Sequence, residues 1–156
     1  MRRSGFTLIE LIVSIAILLL LSSLFIANYN GFNSAQVVRQ SRADFMTNLQ
    51  AVRTNAADGV KPAGCDTLIG YIVKFPSAAT YTAQALCESG EIEDIHTYTL
   101  PSGVTFSPAP TAITFYALNR GASADQTITL TGSGVTMQAS VSASGVISEY
   151  AGAATP

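Results

Sequence analysis

Three groups of side chains in this 156-residue chain have the type and spacing for chemistry. One carboxylate, Glu10, stands at the head of an apolar run. Two cysteines, Cys65 and Cys87, are the only ones present, and Glu88, Glu91, Glu93 and Asp94 crowd ahead of the single histidine, His96. Glu10 makes the sharpest statement. No charged residue occurs from Leu11 to Val38, and Leu11 to Ala27 is long and apolar enough to read as a membrane-spanning helix. A carboxylate carried into hydrocarbon costs about 2.5 to 3.5 kcal/mol, so it calls for a partner. The natural partner is an amine.

The other groups carry less. His96 has no Ser or Cys nucleophile in a recognisable motif, and the chain holds no glycine-rich phosphate loop, zinc-protease helix or nucleophile elbow. No catalytic residue, cofactor or enzymatic activity is expected. Glu88 to Asp94 reads as a solvated acidic loop; oxygen ligands there could also hold calcium, but the spaced ligands of a calcium loop are missing and no metal site is assigned. Two cysteines without histidine make a poor zinc site. They suffice for one disulfide in an oxidising compartment. Pro76 lies midway between them, in the expected turn between Leu68 to Phe75 and Tyr81 to Leu86, so a hairpin would bring Cys65 to Cys87. A bridge of this span contributes about 3 kcal/mol by loop closure.

Several ordinary explanations of the N-terminus fall short. A secretory signal peptide ends in a small-residue cleavage site, and Ser22-Ser23-Leu24-Phe25 is a poor one. A plain signal anchor accounts for Arg2 and Arg3 but gives no reason for Gly5-Phe6 or Glu10. A buried helix this uniformly apolar would need a larger surrounding core than the rest of the chain can supply.

Gly5-Phe6-Thr7-Leu8-Ile9-Glu10-Leu11-Ile12-Val13 resembles the N-terminus of type IV pilins and type II secretion pseudopilins. The resemblance implies that Gly5 ends a leader cut by prepilin peptidase on the cytoplasmic side, and that Phe6 becomes the new, N-methylated terminus. It implies that Glu10, fifth in the mature chain, pairs with the free amine of a neighbouring subunit. It also implies other pilin or pseudopilin subunits, in a homo- or hetero-filament, and an inner-membrane assembly platform as partners. The location would be the bacterial inner membrane, single-pass, with the head outside the cytoplasm, followed by a periplasmic pseudopilus or surface pilus. The physics is compatible with that role. Cleavage removes Arg2 and Arg3 and leaves an amine near the carboxylate's depth, and losing either partner of such a buried pair costs about 3 to 5 kcal/mol.

These groups must be positioned by two kinds of element. The expected divisions are residues 1–5 as leader, 6–27 as transmembrane and filament-core helix, 28–59 as the amphipathic half of a helical spine, and 60–156 as a β-rich head. Beyond Asn28-Tyr29-Asn30-Gly31, which reads equally as a break between two helices or a bend in one, Val38, Phe45, Leu49, Val52 and Ala56 recur at helical spacing, interrupted by Arg42. Asp58-Gly59 with Lys61-Pro62 is a stop signal. From Cys65 onward, strands are expected at 71–75, 81–86, 97–100, 104–106, 113–117, 127–131 and 135–141, with 145–147 as a further short one and 151–156 as a loose tail. Ile128 and Leu130 alternate with threonines, the pattern of a sheet with one buried face, and the spine's apolar stripe is its natural cover. The expected fold is α+β and pilin-like: a long N-terminal hydrophobic helix packed against a C-terminal antiparallel sheet domain.

A second resemblance covers more of the chain with commoner residues. Ser41 to Phe45, Leu49 to Ala56, Ile113-Thr114-Phe115 with Asn119-Arg120-Gly121, and Gly145-Val146-Ile147 look like the H-type minor pseudopilin and FimT-like pilin group. Some FimT-like pilins are DNA receptors, which need a basic patch against phosphate. Here the net charge is −2, and no Lys or Arg follows Arg120. DNA is therefore disfavoured as a partner. With 12% charged residues and a mean hydropathy of +0.35, the chain reads as one small head on a hydrophobic segment. The expected function is that of a structural subunit, major or minor, with a DNA-binding or adhesive receptor as the alternative.

Overall fold

The computed structural model describes residues 7–149, apart from the side chains of 23–31 and 92–95. One helix, α1 (Leu8–Ala57), runs unbroken through Asn28 to Gly31. At 1.5 Å per residue it is about 75 Å long. A glycine inside a helix costs about 1 kcal/mol, whereas a break would create two ends with four unpartnered backbone groups each. Asp58 caps the C-terminus, and Gly59 takes the left-handed conformation (φ 64°) that turns the chain away.

Eight strands follow among the described residues, in two antiparallel sheets. The first contains β1 (Leu68–Ser77), β2 (Thr80–Cys87), β3 (Gly90–Thr99) and β5 (Ile113–Tyr116), in the order β3-β2-β1-β5. The second contains β4 (Thr105–Phe106), β6 (Gln126–Gly132), β7 (Val135–Val141) and β8 (Ile147–Glu149), in the order β4-β6-β7-β8. Both sheets feed one core with the second half of α1. Val38, Phe45, Leu49, Val52 and Ala56 are buried in a cluster with Val73, Tyr81 and Phe115 from the first sheet and Ile128, Leu130, Ala139 and Val141 from the second. Phe45 sits at its aromatic centre, with ring centroids 5.0 Å from Tyr81, 5.4 Å from Phe106 and 6.2 Å from Phe75. Ser41 is also buried; its hydroxyl donates to Val37 O at 2.8 Å, so it enters the core without an unpaired polar group.

The acidic stretch differs from its expected form. Glu91 to Asp94 lie in β3, paired with β2 through Ala85↔Ile92 and Leu86↔Glu91, rather than in a loop. Charge marks loops in a sequence, but β3 is a sheet edge, where Glu91 is exposed and a register shift opposite Ala83 to Ala85 interrupts the ladder. The last strand also falls later than expected, at 147–149, because Ser142 and Gly145 form the turn. The expected tail at 151–156 lies outside the described residues.

Candidate functional site

Glu10 lies in the first turn of α1, where Thr7 is the N-cap. The Glu10 backbone N–H donates to Thr7 Oγ1 at 3.3 Å, and Thr7 N–H donates back to Glu10 Oε2 at 3.5 Å. This is a capping box, and it also places a negative charge at the positive end of the helix dipole. Gly5 and Phe6, the expected cleavage and methylation positions, lie outside the described residues.

Beyond Glu10 the helix shows an apolar surface on every side. The large aliphatic residues from Leu8 to Leu21 are exposed, from 48% at Ile15 to 76% at Leu8. Ser14 and Ser22 turn their hydroxyls inward, each donating to the carbonyl four residues earlier at 2.7 Å. Glu10 is thus the one charged side chain on a surface whose hydroxyls are already satisfied by their own helix. The expected span 6–27 extends past the described side chains, and no helix among the described residues is long and apolar enough to cross a membrane.

In the head, Cys65 and Cys87 are joined in a disulfide, with their Cα atoms 5.8 Å apart. β1 and β2 form the hairpin that brings them there, with Leu68 opposite Cys87. The bridge packs with Leu68, Ala85 and Ala117 as a second small core.

His96 lies beside β2, opposite Ala83, and the side chains of Glu93 and Asp94 lie outside the described ones. His96 lines a cleft of about 290 Å³ with Val52, Asn55, Tyr71 and Tyr98. A neighbouring cleft of about 370 Å³ shares Tyr98 and is lined by Asp44, Asn48 and Tyr81. Burial pushes the Tyr81 hydroxyl up to about 12, an effect that its hydrogen bond from Asn48 partly opposes. Glu91 is held by the ammonium of Lys74. Among the described residues no three of His, Cys, Asp and Glu come together as a metal site.

Two side-chain polar contacts between α1 and the strands were not foreseen from sequence. Arg42, which looked like a flaw in the spine's stripe, lies against Glu149 of β8 at 3.0 Å and ties the final strand to the helix. Asn48 bonds to Tyr81. A polar residue flanking an apolar stripe is the available signal in each case, but it does not say which strand answers it.

Comparison with protein families matches the prokaryotic N-terminal methylation motif over residues 1–26. That motif indicates a pilin- or pseudopilin-type protein of the kind processed by prepilin peptidase. No curated protein and no solved structure matches the chain.

Proposed function

We propose that this chain is a structural subunit of a type IV pilus-like filament or a type II secretion pseudopilus, not an enzyme. Prepilin peptidase cuts after Gly5, Phe6 is N-methylated, and the mature chain waits in the inner membrane as a single-pass protein with its disulfide-stapled head outside the cytoplasm. On assembly the apolar half of α1 moves from lipid to the filament core among other subunits.

The observation that carries this reading is the surface of residues 8–22, which is apolar all round with Glu10 as its only charge. In water such a surface is exposed, and lipid or like helices would cover it. The methylation motif over the same residues supports the processing step. After cleavage the Phe6 amine and the Glu10 carboxylate stand four positions apart in the sequence. Within one helix the Thr7 cap already engages Glu10, and a neighbouring amine adds the opposite charge that offsets its burial.

Shearing and fractionation of the native host test the proposal. The processed chain is expected in the filament or pseudopilus fraction as well as in the inner membrane. Recovery from the membrane alone, under conditions where the host's filaments are assembled, would refute the structural role.

A further inference from the structure

The arrangement of charge along the head points to a specific contact between copies. We infer that the arginine-bearing side of α1 docks the disulfide-stapled acidic corner of a second copy of this chain, head to tail along the spine. The inference rests on the filament reading above and names the surfaces it would use.

At 100° per residue, Arg39, Arg42 and Arg53 fall within about 60° of one another around α1, and Asp44 lies about 140° or more away. Arg42 is engaged by Glu149. Arg39 is exposed and Arg53 half-buried, and neither forms an ion pair among the described residues. Beyond the other end of the helix the sign reverses. The last turn of α1 holds no basic residue to offset the negative end of its dipole, and Asp58 adds a carboxylate there. The Cys65–Cys87 bridge and the bond from Glu88 N–H to Thr67 O at 3.0 Å hold Asp66 and Glu88 close together. Both are exposed, and neither is ion-paired among the described residues. Lys61 at the same end donates to Asp66 O, and Arg120 beside it donates to Ala117 O; both keep their charge, so the corner sets the three carboxylates Asp58, Asp66 and Glu88 against two cations.

Arg39 and the helix C-terminus are about 28 Å apart along the axis. Charges so separated on one rigid head meet only between molecules. Like ends repel and unlike ends attract, which fixes a polarity, and a head-to-tail contact does not close on itself. A second copy therefore fits this face better than nucleic acid, for which the chain's net charge of −2 is unfavourable.

The test uses the full-length chain in its native membrane. Arg39→Lys supplies a reactive amine, and a zero-length carbodiimide then joins it only to a touching carboxylate. Mass spectrometry is expected to find position 39 joined to Glu88 or Asp66, a pair too far apart to react within one copy. Arg39→Glu should lower filament recovery about fivefold, the upper range for an exposed ion pair, and adding Glu88→Lys should restore it. The cross-link is read in the membrane pool, so it is scored separately from the existence of filaments. Cross-links from position 39 to neither acid, or failure of the charge swap to rescue, would overturn the contact. So would retention of duplex DNA by the wild-type chain that Arg39→Glu abolishes, which would assign the face to nucleic acid.

Discussion

The Asn48 side-chain amide donates to the Tyr81 hydroxyl at 2.8 Å, joining α1 to β2 beside the aromatic centre of the head. The contact is a polar anchor in an otherwise apolar seam, since Tyr81 stacks on Tyr98 at 4.8 Å and meets Phe45 edge-on. It satisfies a hydroxyl that burial would otherwise leave unpaired.

The pH dependence of the head follows from that hydroxyl. Tyr81 is raised to about 12 from an ordinary value of 10.0. The folded state keeps the proton while the unfolded chain releases it, so this contribution is complete below pH 10 and is lost as pH climbs towards 12. Alkaline unfolding followed by circular dichroism should show a loss on the order of 2 kcal/mol across that window, and Tyr81→Phe should flatten it. An equally steep loss in Tyr81→Phe would assign the effect to other groups.

Glu10 serves two purposes that two variants separate. Glu10→Gln keeps a side chain able to close the capping box with Thr7, whereas Glu10→Ala removes both cap and charge. Both variants should insert into the membrane, because a charge in hydrocarbon is unfavourable. Both should be depleted from filaments. If Glu10→Gln assembles like wild type while Glu10→Ala does not, the residue acts through its cap and not through a neighbour's amine.

The disulfide stabilises the head by about 3 kcal/mol in the loop-closure account. Paired Cys65→Ser and Cys87→Ser replacement should lower denaturant stability by about that amount, and thiol alkylation of exported wild-type protein should find neither cysteine free. Stoichiometric alkylation of both would contradict the bridge.

Gly70 has no room for a side chain. It pairs with Leu86 on one side and Tyr116 on the other, and a Cβ there would lie 2.1 Å from Phe115 O. Gly70→Ala should push β5 away from β1 and destabilise the head by about 1 to 3 kcal/mol, the range for overpacking. Amide exchange is the direct check: faster exchange confined to β1 and β5 is expected, and unchanged protection there would show that the strands absorb the methyl group.

What was legible in the sequence was what depends on near neighbours. Ile128 and Leu130 alternate with threonine, and both are fully buried on one face of β6. The stripe from Val38 to Ala56 is periodic, and its named residues all reach the core. Position of the two cysteines around one turn was enough to pair them. What was hidden depends on partners far along the chain. Nothing local to Ile113 says that β5 returns to β1, or that Phe106 on a two-residue strand joins the second sheet. Edge position likewise made a strand of Gly90 to Thr99 despite its acids, and Arg42 only made sense once Glu149 stood beside it.

The mass of the mature N-terminus tests the central claim most directly. Protein purified from host membranes should begin at Phe6, with the residues through Gly5 absent and one methyl group on the new amine, and Gly5→Ala should leave the leader attached. An intact Met1 terminus in the wild-type protein, or a cut between Ser22 and Leu24, would contradict the assignment of this chain as a processed pilin-type subunit.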